Sequence, residues 1–164
     1  MQYFLYIFSF LFSFVLMEFA AWFAHKYIMH GSFWFLHKDH HDEGYKVLQK
    51  NDSFALFFAI PSWLSIMLGV IYGSNASIWF GSGIAAFGVS YFVVHEIFIH
   101  QRIKFFRNSD NWYLRALRRA HKVHHKILTK DDGECFGMLL VPIKYFKEEI
   151  SKSNRQPSIT TPNL

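Results

Sequence analysis

Lysine and arginine are missing from two long stretches of this chain. Residues 1–25 hold none and residues 51–101 hold none, although seventeen occur among the 164 residues. Acidic residues are scarce in the same places: residues 3–24 contain only Glu18, and residues 54–72 and 76–94 contain no charge at all. Helices of that length in a soluble bundle carry a polar stripe, and the second and third runs have none, which argues against that class. Cysteine is nearly absent too. The lone Cys135 excludes an internal disulfide and leaves the compartment undecided. Beside Phe136 and Gly137 it reads as a packing residue. No basic residue precedes the first apolar run, which speaks against a cleaved signal peptide. The Glu-x-x-His pattern of soluble di-iron carboxylate proteins does not occur. The net charge of +5 comes without a recognised nucleic-acid-binding module, so nucleic acid is not an expected partner.

What the chain does have is apolar length. Hydrophobic residues make up 52% of it, a value that fits a greasy core or a membrane protein, so the runs decide. At about 1.5 Å per residue, 3–24, 54–72 and 76–94 each reach roughly the 30 Å of a hydrocarbon core. The expected fold is all-α: an integral membrane helical protein with three transmembrane spans at those positions. Gly73, Ser74 and Asn75 read as a tight turn between the last two. Threading these spans places the loop 25–53 and everything from His95 onward on one side. Every Lys and Arg then falls on that side, which the positive-inside rule makes cytoplasmic, in the cell (inner) membrane. The lipid bilayer, with its anionic headgroups, is the partner expected for the excess charge. The apolar stretch 136–143 is too short to span and is expected to dip into the interface. Residues 1–150 read as the membrane domain, and 151–164 as a polar tail without fixed structure.

The ten histidines obey the same partition and form two copies of one pattern. His25 and His30 read HxxxxH, followed by HxxHH at His37, His40 and His41. His95 and His100 repeat HxxxxH, followed by HxxHH at His121, His124 and His125. No histidine is left over. Residues three and four apart share a helix face, so HxxHH is expected to present three imidazoles together to one metal ion. Positions five apart diverge by about 140° on a regular helix. Each HxxxxH pair therefore sits on a distorted helix or serves two different ions, and Gly31 can end the first in a left-handed cap. Ten ligands exceed one coordination sphere, so the expectation is a histidine-box cap holding two ions. Imidazole suits zinc, copper, nickel and iron alike. No separate protein acid or base is assigned to catalysis.

Residues 109–128 read as an amphipathic helix with Asp110 as its N-cap. Leu114, Leu117, His121, His124 and Leu128 share one face. Arg115, Arg118, Arg119, Lys122 and Lys126 form a basic face about 130° away. That basic face has two readings, contact with anionic headgroups or docking of an acidic electron donor. Acids near the histidines are candidates to orient imidazoles. Glu18 lies two turns before His25, and a structural pairing is its equal alternative. Glu96 adjoins His95 and Asp39 lies within the first HxxHH, and either can also be an interfacial charge.

The segments HKYIMHG at 25–31, HKDHH at 37–41, HEIFIHQR at 95–102 and AHKVHH at 120–125 carry a resemblance, with NDSFA at 51–55 and FGMLLVP at 136–142. Over residues 17–143 the chain resembles the beta-carotene 3-hydroxylases, a family within the membrane fatty acid hydroxylase superfamily. The resemblance implies a non-haem centre of two iron ions that uses O2 and two electrons, with ferredoxin and ferredoxin reductase as donors. It implies a membrane-dissolved carotenoid substrate, hydroxylated at carbon 3 of its beta-ionone ring. A fatty acid or sterol hydroxylase or desaturase of the same superfamily is the alternative. A metal transporter fits less well, because transporters bind ions near the bilayer midplane and no histidine lies there. The sequence leaves the carotenoid range, the oligomeric state and the assignment of each histidine to an ion open.

Overall fold

The structure is a computed structural model, and it describes residues 1–41, 48–103 and 109–155. All regular structure in those residues is helical. Helix α1, Gln2–Phe23, continues without a break into a π-helical segment, Ala24–Ser32. Helix α2 is Trp34–His41. A 3-10 turn, Lys50–Phe54, leads into α3, Ala55–Ile71. After the turn, α4 spans Asn75–Tyr91 and also passes into a π-helical segment, Phe92–Ile99. Helices α5, Trp112–His124, and α6, Ile143–Arg155, follow. Three helical stretches, Gln2–Ser32, Lys50–Ile71 and Asn75–Ile99, are long and apolar enough to cross a membrane. They coincide with the three expected runs to within one residue at Ile71 and extend beyond each, the first and third because the HxxxxH motifs prolong α1 and α4 and the second because the 3-10 turn precedes α3.

Gly73 adopts φ +68° in the turn between α3 and α4, a conformation open to glycine at little steric cost. The Ser74 hydroxyl then caps α4 by accepting from the Ser77 amide at 3.4 Å. Small residues let the spans approach closely, as membrane helices do in place of hydrophobic collapse. Gly83 faces Ser13 and the Phe10 carbonyl so tightly that a methyl group there would overlap both. Ser62 donates to the Gly81 carbonyl at 2.8 Å, and Ser77 donates to the Ser65 carbonyl at 2.8 Å. Phe87 is fully buried, in a core with Met17, Ala21, Ile84 and Met138. Outside that core, Phe4, Phe8, Phe12, Val15 and Phe19 of α1 and Leu56, Ile60 and Trp63 of α3 are exposed, as a lipid-facing surface requires.

Helix α4 packs against both α1 and α3, while the backbones of α1 and α3 stay apart from each other among the described residues. The space between them is an apolar cleft of about 970 Å3, floored by α4. It runs from Ile66 and Ile84 deep in the spans up to His25, His95 and His121.

Helices α5 and α6 pack together beside the histidine-bearing end. The cap of α5 is Asn111 rather than Asp110: its Oδ1 accepts from the amides of Tyr113 (2.9 Å) and Leu114 (3.2 Å). The helix is also shorter than 109–128, with His125 already at its C-cap. Three of the five cations on its expected basic face turn to partners within the chain. Arg115 and Arg119 pair with Glu149, Arg119 also reaches Glu148, and Arg118 donates to the Phe98 carbonyl at 2.6 Å and lies over the Phe98 ring. Lys122 and Lys126 remain exposed. Helix α6 runs to Arg155, five residues into the expected polar tail; residues 156–164 lie outside the described part.

Glu18 settles the place of the stretch 136–143. Its Oε1 accepts three successive backbone amides, from Met138 (3.0 Å), Leu139 (2.9 Å) and Leu140 (2.9 Å). The loop therefore descends to the level of Glu18, a residue of the first span, with Leu140 and Ile143 exposed. Of the two readings of Glu18, the structural pairing is the one found. It touches no imidazole, but it anchors the loop whose Phe136 carbonyl does.

Candidate metal centre

His25, His30 and His95 lie in the two π-helical segments, and His100 caps the second. The His100 amide bonds to the His95 carbonyl at 2.9 Å, five residues back instead of four. This wider turn brings residues five apart to nearly the same face, which a regular helix cannot do. The ring centroids of His25 and His30 are 5.2 Å apart, and those of His95 and His100 are 4.6 Å apart. Distortion of the helix is thus the solution to the spacing, and each pair serves one cluster. Gly31 breaks the first segment at φ −106°, ψ −116°, so no left-handed cap is formed.

The HxxHH motifs behave differently from the expectation. Ligand atoms of His25, His30, His37, His41 and His124 lie within 4.8 Å of one another, and so do those of His40, His95, His100 and His121. His125 belongs to neither group and lies between them, its ring centroid 4.5 Å from those of His121 and His41 and 4.8 Å from those of His40 and His100. The first motif therefore gives His37 and His41 to one cluster and its middle histidine, His40, to the other, and the second motif likewise sends His121 and its middle histidine, His124, to different clusters. The three imidazoles of a motif do not converge on one point. Position i+3 on a helix lies about 60° from i, while i+4 lies about 40° away on the other side. That divergence lets one turn feed two centres.

Hydrogen bonds fix what the imidazoles present. The Nδ1 atoms of His25, His30, His41 and His124 lie 2.8–3.1 Å from the carbonyl oxygens of Phe136, Lys130, Ile127 and Glu134. A carbonyl only accepts, so each Nδ1 carries the proton and each Nε2 is a bare lone pair. His37 does the same toward Asn51 Oδ1 at 2.7 Å. Those lone pairs converge: Nε2 of His25 and of His41 each lie 3.1 Å from Nε2 of His37, and Nε2 of His30 lies 3.2 Å from that of His124. Five acceptors facing one another without a proton between them repel, and a shared cation removes the repulsion. In the second cluster, His95 Nδ1 meets Glu96 Oε1 at 2.6 Å and His40 Nδ1 meets Gln49 Oε1 at 2.8 Å. The Nε2 atoms of His40 and His125 are buried with no hydrogen-bond partner. Both donor sets fit a borderline transition-metal ion.

Of the three acids considered, only Glu96 orients an imidazole; Asp39 instead accepts from the Lys50 amide at 2.8 Å. Gln49 and Asn51 were missed as orienting residues. Their signal, an amide side chain beside the NDSFA segment, is too common to single out without the fold.

Burial lowers the basicity of the imidazoles outside the spans; neighbouring imidazoles add to it at His41 and at His124, where the bond to the Glu134 carbonyl opposes it. His41 is brought down to about 3 and His124 to about 4. His37, His100, His121 and His125 are lowered in the same way. These rings are neutral near pH 7, the form a metal ion needs. Free imidazole takes up its proton near about 6.5, so below that pH the unfolded chain binds protons that the folded one refuses. Stability of the metal-free protein is thus expected to be level above about pH 7.5 and to fall continuously from about 6.5 toward 4. Thermal unfolding in detergent at stepped pH checks this; a midpoint that rises on acidification rules it out.

Comparison with known proteins agrees with this geometry. The beta-carotene hydroxylase of Pantoea ananas is 40% identical over 126 residues, covering 77% of this chain and 71% of that protein. The beta-carotene hydroxylase of Paracoccus sp. (strain N81106 / MBIC 01143) is 33% identical over 141 residues, covering 85% and 86%. The chloroplastic beta-carotene 3-hydroxylase of Gentiana lutea is 33% identical over 129 residues, 77% of this chain and 40% of that one. No solved structure matches it. The fatty acid hydroxylase family model matches residues 10–144, a range that takes in all ten histidines, and the chain belongs to that family.

Proposed function

We propose that this hydroxylating oxidoreductase is a beta-carotene 3-hydroxylase that uses O2, two iron ions and electrons from a ferredoxin-type donor, working from the cytoplasmic side of the cell membrane. The observation that carries the reading is the cleft: an apolar channel between α1 and α3 that ends at histidines of both clusters. Its identity as a carotenoid channel rests on the relatives' names. Two iron ions held by His25, His30, His37, His41 and His124 and by His40, His95, His100, His121 and His125 would supply O2 activation. The chain's own residues do the rest. Ile66, Ile84 and Phe58 give a membrane-dissolved ring an apolar path. Phe136, beside His25, His30 and His124, and Met138 shield the upper end from water. Glu96, Asn51 and Gln49 hold the imidazoles in the ligating tautomer.

Expression in a bacterial host that makes beta-carotene tests the substrate. Pigment chromatography is expected to reveal beta-cryptoxanthin and zeaxanthin, and membranes supplied with reduced ferredoxin are expected to support the same conversion. Unchanged beta-carotene together with newly hydroxylated fatty acids or sterols refutes it. In the same strain, a reporter fused after Leu164 is expected on the cytoplasmic side and one inserted at Asn75 on the opposite side.

A further inference from the structure

We infer that Arg102 is a positioning residue for the second histidine cluster, setting the tautomers of His40 and His95 through two separate relays. The inference rests on the two-centre reading above. Arg102 stands just past the π-helical segment, and its side chain is 17% exposed. Among the described residues its guanidinium reaches Glu96, Gln49 and Asp52. Nε lies 2.6 Å from Glu96 Oε2, Nη2 donates to Gln49 Oε1 at 2.6 Å, and Nη1 and Nη2 hold the Asp52 carboxylate at 3.1 and 2.8 Å. Two of these partners each hold a histidine. Glu96 Oε1 meets His95 Nδ1, and Gln49 Oε1 meets His40 Nδ1.

The chemistry runs in one direction. A guanidinium has five N–H donors and no acceptor, so it can face only the oxygen of the Gln49 amide. Were Gln49 flipped, its NH2 group would point at Arg102, and it would donate to His40 Nδ1 instead of accepting from it. His40 would then carry its proton on Nε2, the atom that is buried without a partner and faces His95, His100 and His121. Arg102 therefore selects the amide orientation, the amide selects the tautomer, and the tautomer leaves the ligating lone pair free. On the other relay, Arg102 balances the charge of Glu96 while Glu96 keeps the His95 proton on Nδ1. The Gln49 backbone N–H also donates to Asp52 Oδ2 at 2.9 Å, so the 3-10 turn and the end of the π segment are tied to one cation. Neither relay runs to a histidine of the first cluster. His25, His30, His41 and His124 are oriented by backbone carbonyls and His37 by Asn51. A planar fork that reaches several acceptors is not replaced by the point charge of lysine.

The effect should appear in metal content before activity is measured. Loss of a group that orients a ligand costs about 10- to 100-fold in metal affinity. Purified Arg102→Met and Gln49→Leu proteins, loaded with iron and dialysed against a weak chelator, are expected to keep one ion where the parent keeps two. Gln49→Leu leaves the Arg102–Asp52 pair in place, so it reports the relay and not the ion pair. Arg102→Lys is expected to fall between parent and Arg102→Met. Arg119→Met, which breaks only the ion pairs to Glu148 and Glu149, is expected to keep two. Two ions in both Arg102→Met and Gln49→Leu overturn the inference, as does loss of both ions from both, which marks a purely structural role. A parent with a single ion overturns the two-centre reading, and with it the selective loss claimed for Arg102.

Discussion

A chain carrying both His40→Ala and His121→Ala is expected to retain one metal ion, whereas one carrying both His121→Ala and His124→Ala is expected to lose both. Neither should turn over substrate. The prediction follows from the exchange of middle histidines between the HxxHH motifs. His40 and His121 serve the same cluster although eighty residues of chain separate them, while His121 and His124 serve different clusters although one helical turn carries them. If each motif gripped its own ion, the outcomes would swap: the His121/His124 pair would leave one ion and the His40/His121 pair none. Metal analysis of the purified double variants decides between the two arrangements. His124→Ala alone is expected to abolish activity. Its ring is fully buried between those of His25 and His41, and its removal leaves the Glu134 carbonyl without a donor and a void that no neighbour fills. Lys126→Ala, two residues away and exposed, is expected to have no such effect.

The helical class, the three spans and the gathering of histidines were legible because each depends on a pattern that sequence carries directly. A hydrocarbon core demands apolar length, and charge-free runs display it. The division of the histidines between ions was not legible, because it depends on angles of tens of degrees within a single turn. Wheel geometry applied to HxxHH correctly puts His37, His40 and His41 on one side of α2. It cannot say that a second cluster waits on the flank of that side. The HxxxxH pairs illustrate the opposite case. A regular helix forbids them one ion, so the sequence offered a distorted helix or two separate ions, and the π-helical segments at Ala24–Ser32 and Phe92–Ile99 are the first of these. The basic face of α5 failed for another reason. Arg115 and Arg119 looked exposed on a lone helix, but their partner Glu149 arrives from α6, thirty residues later. Asp110 lost the cap to its neighbour Asn111 because both residues are good N-caps and only the backbone turn separates them.

The cleft is expected to be the only way an apolar ring reaches the histidines, and Gly88 offers the means to close it. Gly88 lies on α4, which floors the cleft, and a Cβ built there meets no atom within 4 Å. A large side chain at this position therefore projects into the cleft without pressing on a neighbouring helix, unlike one at Gly83, where Ser13 and the Phe10 carbonyl stand in the way. Glycine is also a poor helix former, so its replacement does not weaken α4. Gly88→Phe is expected to lower conversion of beta-carotene by about 100-fold or more, the scale on which misplacing a reacting group by an ångström is felt. Metal content and thermal midpoint should match those of the parent, because the nearest ligand in sequence, His95, is nearly two turns further on. Gly88→Ala, which adds only the methyl group, is expected to stay close to parental activity. Parental turnover in Gly88→Phe with its metal intact would mean that substrate reaches the histidines by another route, and the cleft between α1 and α3 would lose its role.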